Sequence, residues 1–402
     1  MKLLMFVPTS GRGGVSLVIR KVFQGLADYA PKDWNFEVLG QAYNEILEPV
    51  VYPENWKFTQ IDPVEKLPPH PHQFRFLWDN VECFYDHLVR VAGDYDLIYC
   101  PSVFWCIRSR EWDIRTPFVA HIPDIAYDEI PMGQLLEQHF RVATQLVRKR
   151  ANFTIFLSEY WRKHATGVYG FDEDKTTVIP NSADFVAENY DPSPQEALRV
   201  REKYGLPEHY VLAFHPLWHK SPATILWAQR HARSISPLVP PLVMAGIGTE
   251  HLLTDAPVDR HITEVRKVLA EIGVQPDVDF FSLGRVPEED IAGLYAGATV
   301  SVNASQMEGD LSGNTFNAFM AHCPHIYSDL PVYTMRIGRE KYGYSFMTGE
   351  YIALAQRLID VCADRDEARR RAVAAYGYAV SRTVKDVANE YIDVFSRVLH
   401  GR

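Results

Sequence analysis

Short apolar runs alternate along this chain with longer segments whose apolar residues recur at helical spacing. The first run, Lys2 to Pro8, predicts a strand. The segment after it predicts a helix with its apolar residues on one side: Val15, Val18, Ile19, Val22 and Leu26. Between Trp34 and Arg75 the pattern is weaker and predicts one strand, Phe36 to Leu39, among proline-rich connections. Strands and helices that alternate in this way are typical of Rossmann-like α/β units.

The stretch from Tyr295 to Pro331 has the most informative pattern. It predicts, in order, a strand (Thr299 to Asn303), a polar loop (Glu308, Gly309, Asp310), a turn (Gly313, Asn314, Thr315), a helix from about Phe316, and a strand ending at Ser328-Asp329. A loop that leaves a buried strand and opens a helix points backbone N–H groups at a ligand, and the helix dipole favours an anion there. Phosphate is therefore the expected ligand of this loop.

Glu308 adds a second requirement, because a carboxylate repels a ligand that consists of phosphate alone. A ligand with hydroxyl groups beside its phosphates, such as a nucleotide sugar, satisfies both groups. The alternative is a solvated loop with a surface glutamate.

Three further positions have residues suited to such a ligand. Gly13 and Gly14 lie between the first strand and its helix, where they fit either a phosphate loop or a tight turn without a ligand. His121 follows a predicted strand, Phe118 to Ala120, and either hydrogen-bonds a sugar or phosphate or caps a loop. Lys220 precedes a predicted helix and either binds a pyrophosphate as a point charge or is a solvated surface lysine.

Composition and charge narrow the class of protein. The 402 residues suit two domains, and 47% hydrophobic with 23% charged residues is typical of a soluble globular protein. A net charge of -10 argues against nucleic acid as a partner. Five cysteines without metal-type spacing predict free thiols and a cytoplasmic location. No apolar run reaches the length of a membrane span, and the N-terminal run is too short for a signal peptide.

The pattern predicts no metal ion. Asp94 and Asp96 have the spacing of a metal-binding Asp-x-Asp pair, but they lie at the entry of an apolar strand, where aspartate commonly ends a turn. The sequence contains no other carboxylate cluster that suggests Mg²⁺ or Mn²⁺.

Four short motifs in the second half of the chain resemble the donor site of the family-4 retaining glycosyltransferases: Ser305, Glu308-Gly309, Cys323-Pro324 and Ser328-Asp329. The resemblance implies the GT-B fold, an α/β architecture of two Rossmann-like domains that face each other across a cleft. It implies an N-terminal acceptor-side domain over residues 1–190, a C-terminal donor domain over residues 191–383, and a C-terminal helix over residues 384–402 that returns to the first domain.

The resemblance also implies roles for single residues. Lys220, Glu308 and His121 would be catalytic, with Lys220 on the donor phosphates and the other two on the donor sugar. The remaining donor-binding residues would be Gly13, Gly14, His215, Gly284, Arg285, Val286, Ser305, Gly309, Gly313, Asn314, Thr315 and Asn317. Two of them depart from the family pattern, since Asn317 replaces a glutamate that holds the ribose and His215 replaces an arginine. Both replacements remove charge that would grip the donor.

The function that follows is a metal-independent transfer of a sugar, with retention, from a UDP-, GDP- or TDP-linked donor to a carbohydrate, lipid-linked or small-molecule acceptor. No cofactor is expected, and the basic end of the helix over Gly133 to Arg150 allows only a peripheral membrane contact. The expected setting is bacterial glycan, glycolipid or glycosylated-metabolite biosynthesis. The alternatives are a non-catalytic GT-B-like binding subunit and another GT-B enzyme, such as a sugar-nucleotide epimerase or a phosphorylase.

Overall fold

The computed structural model describes most of the chain in nine segments. These are residues 1–7, 14–41, 52–61, 73–108, 110–131, 133–183, 190–214, 217–258 and 260–401. The chain forms two compact units, Met1–Ser182 with Thr383–Arg402, and Ala183–Arg382.

Seven parallel strands form the sheet of the first unit. They are β1 (Lys2–Val7), β2 (Asn35–Gln41), β3 (Trp56–Ile61), β4 (Leu97–Cys100), β5 (Phe118–Ile122), β6 (Phe153–Phe156) and β7 (Thr176–Val178). Their order in the sheet is β3-β2-β1-β4-β5-β6-β7. Strand β3 lies after Phe36 to Leu39, where the sequence pattern predicted proline-rich connections and no further strand, so that prediction was wrong. Its burial is confined to its ends, Trp56 and Ile61, which leaves no continuous apolar run to detect.

The helices of this unit cover both faces of the sheet. They are α1 (Gly14–Tyr29), α2 (Gln73–Val91), α3 (Gln134–Arg150) and α4 (Glu159–His164), together with a C-terminal helix described below. Strand β1 shows why both faces are covered, because Leu3 and Met5 pack in one buried cluster and Leu4 and Phe6 in another. Strands buried on both sides read as continuous apolar runs, which is what the sequence shows there.

Six parallel strands form the sheet of the second unit. They are β8 (Val211–Phe214), β9 (Leu242–Ala245), β10 (Phe280–Ser282), β11 (Val300–Asn303), β12 (His325–Ser328) and β13 (Tyr344–Phe346), in the order β10-β9-β8-β11-β12-β13. The helices of the unit are α5 (Pro194–Tyr204), α6 (Pro222–Ile235), α7 (Arg260–Ile272), α8 (Glu288–Gly297), α9 (Gly313–Met320), α10 (Pro331–Ile337), α11 (Tyr351–Ala363) and α12 (Arg365–Ala379).

The strand order of each sheet reverses once. In the second unit, β8 is followed outward by β9 and β10, and the chain then returns to place β11 on the other side of β8. Ligands of open α/β sheets bind at such a switch point, outside the carboxyl ends of the strands. The loops that follow β8 and β11 are therefore neighbours, although 88 residues separate Lys220 in one from Glu308 in the other.

The last helix, α13, spans Val384–Leu399 and belongs to the first unit. Thr383 and Asp386 form a capping box at its start, which satisfies backbone donors that a helix end leaves open. Its apolar side includes Tyr391 and Phe395, which pack in the same cluster as Leu3 and Met5. The helix lies so close to α1 that a Cβ added at Gly25 would be 2.9 Å from the Cβ of Ala388.

Candidate functional site

Lys220 lies in the loop between β8 and α6. Residues Trp218–Lys220 form a single 3-10 turn, and Ser221 then adopts a left-handed conformation with φ 47° before Pro222 opens the helix. This conformation is rare outside glycine, and residues held in it cluster at functional sites. His215, which was predicted to bind the donor together with Lys220, lies outside the described residues.

Glu308 lies in the loop after β11, and Lys220 contacts it directly. Lys220 Nζ is 2.5 Å from Glu308 Oε1, and both side chains are only 13% exposed. A second link ties the two loops, because the backbone N–H of Gln306 donates to the carbonyl of His219 at 2.8 Å. The strand order thus brings together the two residues that the sequence selected separately.

Ser305 and Asn303 hold the same carboxylate. Ser305 Oγ lies 2.6 Å from Glu308 Oε1 and 2.7 Å from Asn303 Oδ1, so its single proton serves one of them at a time. Asn303 Nδ2 also lies 3.4 Å from Glu308 Oε1. The sequence indicated Ser305 but not Asn303, because Asn303 reads as the last residue of a buried strand.

The helix after this loop begins at Gly313, three residues earlier than predicted. The Ser312 side chain accepts the backbone N–H of Thr315 at 3.2 Å and so caps the helix, which places Gly313, Asn314 and Thr315 in its first turn instead of in a preceding turn. Gly313 is exposed and Asn314 partly so, whereas the Thr315 hydroxyl is buried. Asn317 is partly buried one turn further on.

A buried ion pair supports the loop from the other side. Asp310 pairs with Arg336 of α10, and Arg336 Nε donates to the hydroxyl of Tyr378 at 2.8 Å. The guanidinium also lies 5.6 Å from the ring centre of Phe316 in α9. Sequence reasoning missed this pair, and the only local signal was an aspartate directly after Glu308-Gly309.

Gly284, Arg285 and Val286 follow β10, beside the loop that follows β9. Gly284 has φ 68°, and a Cβ there would be 3.0 Å from the Cβ of Glu250. Thr249 joins the two loops, since its hydroxyl donates to the carbonyl of Gly246 at 2.8 Å and accepts the N–H of Gly284 at 2.9 Å. Arg285 is exposed and Val286 partly buried.

His121 lies in the first unit, inside β5 and not after it. The predicted strand was two residues too short, because His121 and Ile122 also pair with β6. His121 is 2% exposed, and its Nδ1 lies 3.1 Å from the Tyr99 hydroxyl and 3.4 Å from the Tyr391 hydroxyl. Its Nε2 has no hydrogen-bond partner in the described part of the chain. Burial lowers the pKa of His121 from 6.5 to about 3, so the ring is neutral.

The predicted glycines of the first unit are only partly covered. Gly14 is the first residue of α1, and Gly13 lies outside the described residues.

The second aspartate of the Asp-x-Asp pair is hydrogen-bonded to the first strand. Asp96 accepts the backbone N–H of Lys2 at 2.8 Å, which ties it to the start of β1. Over the described ranges, no three histidine, cysteine or acidic side chains are grouped so as to hold a metal ion. All five cysteines are free thiols. Among the helices in those ranges, none combines the length and the apolar character needed to span a membrane.

Comparisons with known proteins agree with this architecture. Residues 12–187 match the family model Glycosyltransferase Family 4, a range that ends before Lys220 and Glu308. No curated protein sequence matches the chain.

Many solved structures share the fold. The complex of Anabaena HepE with UDP-glucose matches with a TM-score of 0.75 and 18% identity, over 98% of this chain and 99% of that one. Sucrose-phosphate synthase from Thermosynechococcus elongatus matches with a TM-score of 0.74 and 15% identity over the whole of both chains. A putative UDP-N-acetylglucosamine 2-epimerase from Listeria monocytogenes matches with a TM-score of 0.63 and 13% identity, over 100% of this chain and 97% of that one. The chain therefore has the GT-B fold of glycosyltransferases, and its first part matches the family-4 domain.

Proposed function

We propose that this chain, with its family-4 domain and GT-B fold, is a glycosyltransferase that uses a nucleotide diphosphate sugar, retains the anomeric configuration and needs no metal ion. The observation that carries the proposal is the 2.5 Å contact between Lys220 and Glu308 at the switch point of the second sheet. A cation for the pyrophosphate and a carboxylate for the sugar hydroxyls are the two groups that such a donor requires side by side.

The ion pair is compatible with phosphate binding by the same lysine. An ammonium group has three N–H donors, and the contact with Glu308 uses one of them. Backbone amides at the starts of α6 and α9 supply further donors for an anion. The lysine would thus neutralise the carboxylate and bind the pyrophosphate at the same time.

In the proposed reaction the acceptor hydroxyl attacks the anomeric carbon on the side from which the phosphate leaves. The bond from that carbon to the phosphate oxygen breaks, the bond to the acceptor oxygen forms, and the hydroxyl proton passes to the departing phosphate oxygen. No protein nucleophile is required. The side chains stabilise the negative charge that develops on the pyrophosphate and orient the sugar.

The other predicted residues complete the proposed site. Gly13, Gly14 and His215 are assigned to the phosphates, and His121 to the sugar. The loops joined by Thr249 are assigned to the nucleotide base. The UDP-glucose complex of HepE supports a UDP-linked donor, and the acceptor is a carbohydrate, a lipid-linked sugar or a small molecule. The product would be a glycan, a glycolipid or a glycosylated metabolite.

A thermal-shift experiment tests the donor site. The protein is heated with UDP, GDP, TDP or ADP, with and without EDTA, because a ligand that binds only the folded state stabilises it by about 2.7 kcal/mol at a concentration of 100 times Kd. We expect one nucleotide, with UDP favoured, to raise Tm and the rise to survive EDTA. No rise with any nucleotide would contradict the proposal.

Lys220→Ala tests the assignment of this lysine to the donor phosphates. We expect it to lower turnover about 10²- to 10³-fold and to reduce the thermal shift, because the charge that faces the leaving phosphate is lost. Lys267→Ala is the matched control, since Lys267 is an exposed lysine paired with Glu264 on α7. Unchanged turnover in Lys220→Ala would contradict the assignment. A shift without transfer to any acceptor would favour a binding subunit, and release of an epimerised sugar nucleotide would favour an epimerase.

A further inference from the structure

A chain of buried hydrogen bonds runs from the neighbours of Glu308 to a second histidine, His325, the first residue of β12. Its members besides His325 are Asn303, Ser312, Thr315, Tyr333 and Ser301, and all of them except Ser312 are buried. Because a hydroxyl group has one proton and two lone pairs, the direction of each bond can be worked out.

Tyr333 is the first node of the chain. Its hydroxyl accepts two N–H groups, Asn303 Nδ2 at 2.9 Å and the backbone amide of Ser312 at 3.1 Å. Both acceptor positions are then occupied. The hydroxyl proton is therefore donated to Thr315 Oγ1, 3.0 Å away.

The Ser312 hydroxyl has the same arrangement of hydrogen bonds, with two accepted and one donated. Its Oγ accepts Asn303 Nδ2 at 3.0 Å and the backbone amide of Thr315 at 3.2 Å, so its proton also goes to Thr315 Oγ1, at 3.1 Å. Thr315 Oγ1 thus accepts two bonds, and it donates its own proton to Nε2 of His325 at 3.1 Å.

His325 ends the chain as a neutral ring. Because Nε2 accepts the hydrogen bond from Thr315, the neutral ring has its hydrogen on Nδ1, which donates to Ser301 Oγ at 2.8 Å. Ser301 Oγ in turn donates to the carbonyl of Pro324. Burial lowers the pKa of His325 from 6.5 to about 3, which agrees with a ring that stays neutral.

At its other end, this series of hydrogen bonds reaches Glu308. Asn303 Nδ2 lies closer to the Tyr333 hydroxyl (2.9 Å) and to Ser312 Oγ (3.0 Å) than to Glu308 Oε1 (3.4 Å), so its two protons are directed to Tyr333 and Ser312. These two bonds set the plane of the amide, and Asn303 Oδ1 lies 2.7 Å from Ser305 Oγ. Ser305 Oγ is 2.6 Å from Glu308 Oε1. The orientation of the Asn303 amide therefore depends on Tyr333, Thr315 and His325.

We propose that Tyr333, Thr315 and His325 are positioning residues that fix Asn303 and, through Asn303 and Ser305, the Glu308 carboxylate against the sugar of the donor. The proposal rests on the proposed function, in which Glu308 binds that sugar. It assigns the Thr315 hydroxyl to the support of the site and not to a contact with the donor.

Calorimetric titration with UDP and with UDP-glucose tests this role. We expect Tyr333→Phe to weaken the binding of UDP-glucose about tenfold, because Asn303 Nδ2 loses one of its two acceptors, and to change the binding of UDP by less than about threefold. Tyr327→Phe is the matched control. Tyr327 is another buried tyrosine, and its hydroxyl shares one proton between the carbonyls of Arg339 at 2.9 Å and Gly338 at 3.2 Å, neither of which belongs to this series of hydrogen bonds. It should lose stability without losing the preference for UDP-glucose.

Thr315 offers a rescue test and His325 a readout without ligand. Thr315→Val should reproduce the Tyr333→Phe result, and Thr315→Ser, which keeps the hydroxyl, should restore binding. Nitrogen-15 NMR of the histidine rings should show His325 protonated on Nδ1 in the wild-type protein. Protonation on Nε2 would overturn the proposal.

The outcomes separate the two claims. Wild-type protein that binds none of UDP, GDP, TDP and ADP in the thermal-shift experiment overturns the proposed function and the positioning role with it. Wild-type protein that prefers UDP-glucose, together with a Tyr333→Phe variant that binds it equally well or a Tyr327→Phe variant that loses as much, overturns the positioning role alone.

Discussion

His121 and His325 are both buried and neutral, one in the sheet of each unit, yet their surroundings differ. Both nitrogens of His325 have partners, Ser301 and Thr315. His121 has two tyrosine hydroxyls near Nδ1 and no partner for Nε2 within the described residues.

The difference bears on what each ring can do. A buried polar atom without a partner costs about 1–3 kcal/mol, so a nitrogen left open in a core is a candidate for contact with a ligand. A ring with both nitrogens engaged has no bonding capacity left for a ligand and acts through its neighbours. The comparison separates a proposed contact residue, His121, from a proposed positioning residue, His325, although both have a pKa lowered to about 3 by burial.

The largest expected effect is on the pH dependence of stability. Each ring titrates near 6.5 in the unfolded chain and near 3 in the folded one, so the unfolded state binds more protons between these values. The contribution of each neutral ring to the free energy of unfolding is therefore fully present above pH 6.5. It is lost as the pH falls, by up to about 1.4 kcal/mol per pH unit for each histidine. Denaturant unfolding of the wild type, His121→Gln and His325→Gln at pH 5 to 8 measures the slopes.

Both variants should have a shallower slope than the wild type, because each removes one such group. At pH 8 they should differ, with His325→Gln less stable than His121→Gln, since it disturbs two established hydrogen bonds. Equal stability of the two variants at pH 8 would contradict the distinction between His325, which has two hydrogen-bonded nitrogens, and His121, which has one.

A smaller effect is expected from Gly25→Ala. The added Cβ would meet Ala388 at 2.9 Å and the carbonyl of Val384 at 3.1 Å, which would push α13 and its Tyr391 away from α1. Such overpacking costs about 1–3 kcal/mol. Tm and the NMR signal of the His121 ring should both change.

Gly377→Ala is the control for this substitution. Gly377 lies in α12 with no atom within 4 Å of the added Cβ, so alanine there should stabilise the helix by about 0.5–1 kcal/mol. The packing of α13 would have to be looser than the structure shows if Gly25→Ala behaved like Gly377→Ala.

The smallest effect is expected from Tyr391→Phe. Its hydroxyl is 3.4 Å from His121 Nδ1 and 3.3 Å from the Tyr99 hydroxyl, and Tyr99 stays in place as a closer partner at 3.1 Å. The loss should be about 0.5–1.5 kcal/mol in the free energy of unfolding. Tyr333→Phe should lose more, because it leaves two N–H donors without their acceptor. A larger loss in Tyr391→Phe would mean that the His121 environment depends on α13 more than these distances indicate.

Much of the architecture could be predicted from local patterns. Apolar runs alternating with helical periodicity indicated Rossmann-like units. Glu308, Lys220 and the helix after Glu308 were proposed because each follows a predicted strand. Strand β3 was missed because only its ends are buried. The start of α9 was placed three residues late because the cap is Ser312, whose role depends on its side-chain geometry.

The network behind Glu308 could not be predicted in this way. Asn303 and His325 read as ordinary strand residues, Tyr333 lies beyond the stretch whose pattern was informative, and no local pattern links the three. Asp310 and Arg336, which form a buried pair, stand 26 positions apart and could not be paired from the sequence for the same reason.

The sequence by itself determined which segments become strands and helices and which loops have groups suited to phosphate and sugar, because these depend on neighbouring residues and on the spacing of apolar side chains. Only the tertiary structure decided that Lys220 contacts Glu308 and that Thr315 faces inward. It also decided that both nitrogens of His325 are hydrogen-bonded, whereas Nε2 of His121 has no partner within the described residues. These contacts follow from the placement of β11 beside β8 and from the register of β12 against β11, and such long-range pairing is not encoded in any local pattern.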